Sequence, residues 1–210
     1  MSTTRENGSL YTNIQGAIAT LEFGHPASNS FPSELLARLT NELHSLSKND
    51  SITVIILKSE GERAFCAGAS FDELVAITNL EEGQKFFSGF ANVINAMRTC
   101  GKLIIGRIQG KTVGGGVGLA AACDYALATE HASIKLSELT IGIGPFVIEP
   151  AVSRKIGLAA TAELTLDATN WKNAYWAKEK GLYAKVFETL KELDEEVDIF
   201  ANKLASYNPQ

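Results

Sequence analysis

The chain has 210 residues, of which 45% are hydrophobic and 20% are charged, a composition typical of a globular protein with one sizeable core. Its 24 acidic residues outnumber 19 lysines and arginines, and the net charge of -5 without a basic patch argues against nucleic-acid binding. The opening residues lack a signal-peptide pattern, and no apolar run approaches the roughly 18 residues that span a bilayer. We therefore expect a cytoplasmic protein that does not act at a membrane.

The hydrophobic pattern predicts strands and helices in alternation. Apolar residues alternate over 14–24, which predicts a strand, and leucines recur at helical spacing over 31–48. Residues 51–59 and 101–110 form apolar runs typical of strands buried on both faces, with a helix predicted between them over 81–100. Further along, the pattern predicts a small-residue helix after the glycines at 114–116, strands at DYALATE, ASIKL and AKVF, and helices over 149–166, over 171–179 and from about 189. This order predicts an α/β protein with helix-covered sheets, in a single domain over 1–210.

The cysteines and histidines predict neither a disulfide nor a metal site. Cys66, Cys100 and Cys123 form no CxxC motif and cannot all pair within one chain, so we expect free core thiols in a reducing compartment. The three histidines are scattered singly and form no HxxxH or HExxH pattern, so no metal ligation is predicted.

Three adjacent glycines, Gly114 to Gly116, lie between a predicted buried strand and a small-residue helix. A helix N-terminus exposes unpaired N–H groups, which suit an anion or a group that becomes anionic. A P-loop is excluded, because Ile105 occupies the position of its first glycine and the lysine precedes the glycine cluster. Tight packing of the helix on a sheet is the structural alternative at this point.

A dinucleotide-binding pattern also overlaps the cluster. Gly116, Gly118 and Ala121 fit G-x-G-x-x-A, and Glu138 follows about twenty residues on. The match is weak, because the helix of about eight residues is too short for the usual crossover.

A second turn of small residues occurs in RAFCAGASFDEL, residues 63–74. It also follows a buried strand and leads into a helix through Ala67, Gly68 and Ala69. Two such strand-to-helix turns can direct two backbone N–H groups at one point. That arrangement predicts an oxyanion hole made from main chain.

These two segments resemble the paired signatures of the enoyl-CoA hydratase/isomerase (crotonase) superfamily. GHPASNSF, SITVIILKSEGERAF and KLSELTIGIGPF agree with it in order and spacing, so the similarity runs from about residue 14 to about residue 187. The resemblance implies a spiral of ββα units forming two sheets flanked by helices. It also implies acyl-CoA thioester substrates, no separate cofactor since coenzyme A is part of the substrate, and a homo-trimer or dimer of trimers. The family's terminal helical region is shortened here, which weakens the expectation of trimers.

The resemblance also implies residue roles. By position, the N–H groups of Ala69 and Gly115 are the oxyanion donors, and they would stabilise the enolate that forms when a thioester loses its α-proton. Glu138 matches one of the two glutamates of family hydratases and is the implied acid/base group. The implied substrate-binding positions around the two turns are Ala67, Gly68, Ser70, Phe71, Gly114 and Gly116.

The second hydratase glutamate is absent, because its position falls at Gly118. One carboxylate suffices to move a double bond, and ELTIGIGPF also resembles an enoyl-CoA isomerase segment, so we predict isomerase-type proton transfer. A hydratase or lyase with Glu149 as a displaced second carboxylate is the alternative. A non-catalytic acyl-CoA-binding or interaction protein is an alternative of another class. Aryl-CoA dehalogenation is excluded, because Phe146 stands in place of its nucleophilic carboxylate.

Overall fold

The computed structural model describes residues 7–207, which form an N-terminal hairpin and helix followed by three strand–strand–helix units. The hairpin comprises β1 (Ser9–Gln15) and β2 (Ile18–Gly24), and the helix is α1 (Ser33–Ser47). The first unit comprises β3 (Val54–Ser59), β4 (Ala64–Cys66), α2 (Phe71–Val75) and α3 (Leu80–Arg98). The second comprises β5 (Leu103–Ile108), β6 (Lys111–Val113) and α4 (Gly115–Ala122). The third comprises β7 (Tyr125–Thr129), β8 (Ile134–Lys135), a 3-10 helix (Glu138–Ile141) and α5 (Glu149–Leu166). The elements α6 (Ala174–Glu179), β9 (Lys185–Phe187) and α7 (Leu190–Ala205) follow.

The strands divide between two sheets. The large sheet has the order β1-β2-β3-β5-β7-β9, and β1 pairs antiparallel with β2 while the other neighbours are parallel. The small sheet has the order β4-β6-β8 and is parallel throughout. In each unit one strand joins the large sheet and the next joins the small sheet, so the predicted two-sheet α/β spiral is confirmed.

The central strands β3 and β5 of the large sheet are buried on both faces, which explains their continuous apolar runs. Along β3, Ile55 and Leu57 face the main core, whereas Val54 and Ile56 pack against the apolar side of α7. Since neighbouring side chains of a strand point to opposite faces, a strand covered on both sides shows no polar alternation.

The N-terminal strand prediction is wrong in part. Residues 14–24 form no single strand, because the chain reverses at 16–17 between β1 and β2. The apolar alternation continues through the turn and hides it. The predicted helix over 171–179 begins later, at Ala174, where the Asn173 side chain accepts the N–H of Trp176 (2.8 Å).

Two further observations concern the described part of the chain. Cys66, Cys100 and Cys123 are free thiols, and burial raises the pKa of Cys66 and Cys123 to about 12. Between residues 7 and 207, no helix is both long enough and apolar enough to cross a bilayer.

Candidate active site

The candidate site lies at one edge of the small sheet. Because β4, β6 and β8 run parallel, their carboxyl ends reach the same edge. Segment 67–69 follows β4, segment 114–115 follows β6, and Ser137 and Glu138 follow β8. All these residues line one cavity of about 190 Å³.

The first turn leaves one backbone N–H beside this cavity without an acceptor among the described residues. Gly68 has a φ of 91°, in the left-handed region that favours glycine, and its N–H donates to Cys66 Sγ (3.3 Å). The carbonyl of Gly68 accepts the N–H of Phe31 (2.8 Å), and the N–H of Ser70 donates to the carbonyl of Phe31 (2.9 Å). These bonds leave the N–H of Ala69, which lines the cavity, without an acceptor in the described chain.

The segment before α1 holds this first turn in place. The Asn29 side chain donates to the carbonyls of Glu60 (2.8 Å) and Ala64 (2.9 Å), on either side of the link into β4. The N–H of Ala67 donates to the carbonyl of Ser28 (3.1 Å). The turn is therefore bonded to a segment almost forty residues away in sequence, in addition to its own strand.

The second turn begins α4. Gly114 has a φ of 54°, and its N–H donates to the carbonyl of Lys135 (3.0 Å), which joins this turn to β8. Gly115 is the first residue of the helix, where backbone N–H groups have no intrahelical acceptor. Within residues 7–207 its N–H is unpaired. A β-carbon at Gly115 would lie 2.5 Å from Phe90 Cε1, so the aromatic ring already fills the space of a side chain.

The two turns and the carboxyl of Glu138 are close neighbours. A β-carbon on Gly68 would lie 3.5 Å from the Gly115 nitrogen, and one on Gly114 would lie 3.0 Å from Glu138 Oε1. The two turns and Glu138, each of which follows one of the three short strands, therefore lie next to one another in a single site.

Glu138 has the environment of a proton-transfer group. Its Oε2 is buried and has no hydrogen-bond partner in the described residues. Desolvation by burial raises the pKa of the carboxyl above its ordinary value, although its own backbone N–H works in the opposite direction. A carboxyl with a raised pKa and a free oxygen in a cavity is typical of general acid/base residues.

The rest of the cavity wall is almost wholly apolar. Apart from Ser137 and Glu138, the side chains that line it within residues 7–207 are hydrocarbon or aromatic. Three of them are the aromatic residues of α3, Phe86, Phe87 and Phe90. The helical pattern marks Phe86 and Phe90 as core residues, but Phe87 lies off that face and no sequence signal identified it.

The structure places two predicted substrate-binding residues outside this cavity. The Ser70 hydroxyl accepts the N–H of Glu73 (3.3 Å) at the start of α2, and Gly116 packs against Cys66. Both lie beside the turns rather than on the cavity wall. The other predicted positions, at 67–69, 71, 114–115 and 138, do line it.

The position of the missing second glutamate is occupied by another side chain. A β-carbon at Gly118 would lie 2.6 Å from Ile148 Cγ2 and 3.1 Å from Ile94 Cδ1. Ile148 is buried and lines the cavity, whereas its neighbour Glu149 does not. Phe146 is 83% exposed and also lies outside the cavity.

Unpaired backbone N–H groups beside a buried carboxyl are the arrangement of enzymes that stabilise a developing oxyanion. The sequence model of one such class, described as Enoyl-CoA hydratase/isomerase, matches residues 13–210. The chain belongs to this enoyl-CoA hydratase/isomerase family, within the crotonase superfamily, and is an enzyme that acts on acyl-CoA.

Relatives with both activities resemble this chain. A peroxisomal Delta(3,5)-Delta(2,4)-dienoyl-CoA isomerase of Arabidopsis thaliana is 28% identical over 94% of this chain and 75% of its own length. A short-chain-enoyl-CoA hydratase of Clostridium acetobutylicum is 29% identical over 93% of this chain and 74% of its own. The crystal structure of an enoyl-CoA hydratase from Bacillus anthracis superposes with a TM-score of 0.88 at 30% identity, covering 97% of this chain and 78% of that one.

Proposed function

We propose that this enzyme moves the double bond of an enoyl-CoA thioester, with Glu138 as its acid/base group. One observation carries the proposal: Glu138 is the only carboxylate on the cavity wall in the part of the chain that the structure describes. The relatives include both isomerases and hydratases, so the choice depends on the residues of this chain.

The proposed reaction begins with the thioester carbonyl of a 3-enoyl-CoA against the N–H groups of Ala69 and Gly115. The Glu138 carboxylate removes a proton from C2, and the electron pair of the C–H bond moves into a dienolate whose oxygen the two N–H groups stabilise. The protonated carboxyl then returns the proton to C4, and the new double bond lies between C2 and C3. No proton or electron is gained or lost overall.

Hydration is less well supported by the cavity. Addition of water across a double bond benefits from a second group that holds and deprotonates the water. The position of that group is Gly118, and Ile148 fills the adjoining space with hydrocarbon. Glu149, the displaced candidate, does not line the cavity, so it is poorly located to hold this water.

The test compares two reactions of the purified enzyme. We expect 3-hexenoyl-CoA to be converted to 2-hexenoyl-CoA, and crotonyl-CoA to be hydrated slowly or not at all. Glu138→Gln should lower the kcat of isomerisation by about 10²- to 10⁴-fold, the usual contribution of a general base. Glu149→Gln is the matched control, since it removes the charge of a carboxyl outside the cavity and should leave kcat within about threefold.

Three results would overturn parts of this proposal. A loss of less than about tenfold in Glu138→Gln is below the usual range for a general base and would remove Glu138 from that role. Rapid hydration of crotonyl-CoA by the wild type would replace the isomerase with a hydratase. Binding of CoA thioesters without any turnover would favour a non-catalytic acyl-CoA-binding protein.

A further inference from the structure

A second cavity adjoins the acyl-CoA site, and one residue among those the structure describes lines both. This outer cavity, of about 330 Å³, is lined by residues at the starts of α1 and α3 and by part of α2. Within residues 7–207, Phe86 is the only residue that lines both cavities. Its side chain is buried, with 9% exposure, so it forms a partition between them.

The partition lies along α3 from the proposed reacting centre. Phe90 covers Gly115, and Phe86 precedes it by four residues, which is about 6 Å along a helix axis. The Phe86 ring packs edge-on against Phe87, with 5.2 Å between ring centroids. A chain that runs from the Gly115 N–H along α3 therefore reaches an aromatic wall within about one helical turn.

The surfaces on both sides of this wall suit hydrocarbon. Apart from Ser137 and Glu138, the side chains of the inner cavity are apolar. Beyond the wall, Ala76 and Ile77 continue the apolar lining, beside the charged residues Glu82 and Lys85. The Glu73 carboxylate of the outer cavity accepts hydrogen bonds from the backbone N–H (2.9 Å) and the hydroxyl (2.5 Å) of Ser33. The Glu73 carboxylate is therefore already hydrogen-bonded to Ser33 at the wall of the outer cavity.

We propose that Phe86 determines acyl-chain length, as the end wall that restricts this enzyme to short, uncharged hydrocarbon chains. The proposal rests on the proposed function for the location of the thioester group. Removal of the ring would join the two cavities and let a longer chain continue into the outer one.

The test measures binding rather than turnover, so it does not require the proposed chemistry. Saturated acyl-CoA esters from butanoyl to dodecanoyl are titrated calorimetrically against the wild type and Phe86→Ala. For the wild type, Kd should fall with chain length and then stop falling once the chain meets the ring. For Phe86→Ala, the fall should continue over the next two or more methylenes, by up to about fourfold for each one buried.

Leu80→Ala is the matched control, because Leu80 lies in the same helix, is 89% exposed and lines neither cavity, so its removal should not shift the limiting length. Phe86→Leu is a milder variant that tests the same shift if Phe86→Ala unfolds. Identical length profiles for the wild type and both Phe86 variants would refute the proposal. A wild-type enzyme that binds a length-limited series but fails to isomerise 3-hexenoyl-CoA would refute the proposed function and leave the role of Phe86 standing.

Discussion

The two sheets of this molecule differ in length, burial and task. Strands β1, β2, β3 and β5 of the large sheet have six or seven residues, whereas the strands of the small sheet have two or three. The central strands of the large sheet contribute side chains to a hydrophobic cluster on each face, whereas every polar group proposed for catalysis follows a strand of the small sheet. The scaffold is thus built from strong periodic patterns, while the site is built from short strands and the turns that follow them.

Glycines in or next to the two sheets show how closely the neighbouring atoms pack in each sheet. A β-carbon at Gly106, in β5 of the large sheet, would meet the Cys123 Sγ at 2.9 Å, and a side chain can adjust. A β-carbon at Gly110, which precedes β6, would lie 2.6 Å from the carbonyl carbon of Arg63, just before β4. The small sheet depends on close backbone approach, so its geometry has less room to adjust.

The largest expected effect is on activity, at the second turn. Gly115→Ala would force the Phe90 ring or the turn to move, and displacement of one oxyanion donor should lower kcat by about 10²- to 10³-fold. Steady-state kinetics with 3-hexenoyl-CoA measures this loss.

Gly83→Ala, the same change within α3, is the control for that experiment. Its β-carbon would make an ordinary 3.7 Å contact with Ile77, so stability should rise by about 0.5 to 1 kcal/mol with kcat unchanged. If Gly115→Ala keeps the wild-type kcat, the backbone at 115 does not contact the reacting carbonyl.

The next effect is on stability and contrasts the two sheets directly. Gly110→Ala should lower the free energy of unfolding by about 3 kcal/mol, because backbone atoms of two strands must separate. Gly106→Ala should lower it by about 1 kcal/mol, since side-chain atoms can shift. Urea denaturation compares the two variants, and equal losses would show that the small sheet is no more tightly constrained.

A smaller effect is expected where α7 covers the large sheet. The buried Arg107 guanidinium donates to both carboxylate oxygens of Asp194, at 2.7 and 3.0 Å. Asp194→Ala leaves that guanidinium unpaired and should lower the free energy of unfolding by about 1 to 2 kcal/mol, without changing kcat. Glu195→Ala is the control, because its exposed pair with Lys191 should contribute less than about 0.5 kcal/mol. A loss of activity in Asp194→Ala would contradict the separation of scaffold and site.

The smallest effect is a pH dependence in which stability and catalytic activity change in opposite directions. Because burial raises the pKa of Glu138 in the folded state, the native protein binds its proton more tightly than the unfolded chain does. The stability that Glu138 contributes is therefore fully present below the ordinary pKa of a glutamate, and it is lost as the pH rises through the raised pKa of the folded state. The free energies of unfolding of the wild type and Glu138→Gln should agree at low pH and diverge in favour of the variant at neutral pH.

Catalysis should follow the opposite course, because the base must be ionised. The kcat/KM of the wild type should rise with its midpoint at the raised pKa of Glu138, the pH at which the loss of stability relative to Glu138→Gln levels off. If the midpoint of the kcat/KM curve and the end of the stability loss fall at different pH values, another group limits catalysis.

Much of the scaffold could be predicted from sequence, because its elements are long and periodic. Helices α1, α3, α5 and α7 follow the predicted spans closely, whereas the hairpin at 16–17 went undetected because apolar alternation runs through it. Strands β4, β6 and β8 have too few residues to show a period. The pattern nevertheless predicted a strand at ASIKL, which contains β8, whereas it predicted neither β4 nor β6 as a separate strand.

Of the site, only the two backbone turns and the carboxyl of Glu138 could be predicted from the sequence. Small residues at 67–69 and 114–116 mark turns in any context, and Glu138 was identified by its position in a family segment. Apart from Phe71, the apolar wall was not predicted, because residues such as Phe87 and Ile148 reach the cavity through the packing of α3 and of the segment before α5. Likewise, only the structure shows that Ile148 fills the space beside Gly118.

The central claim is that Glu138 moves a proton next to a carbonyl held by the Ala69 and Gly115 N–H groups. Its most direct test is hydrogen exchange in deuterium oxide, followed by mass spectrometry of 3-hexenoyl-CoA and its product at early times. We predict that the wild type introduces deuterium at C2 and C4, and that Glu138→Gln does so at least about 10²-fold more slowly. Incorporation by Glu138→Gln at the wild-type rate would contradict the account. So would a wild type that neither introduces solvent deuterium nor moves deuterium from C2 to C4 of C2-deuterated 3-hexenoyl-CoA.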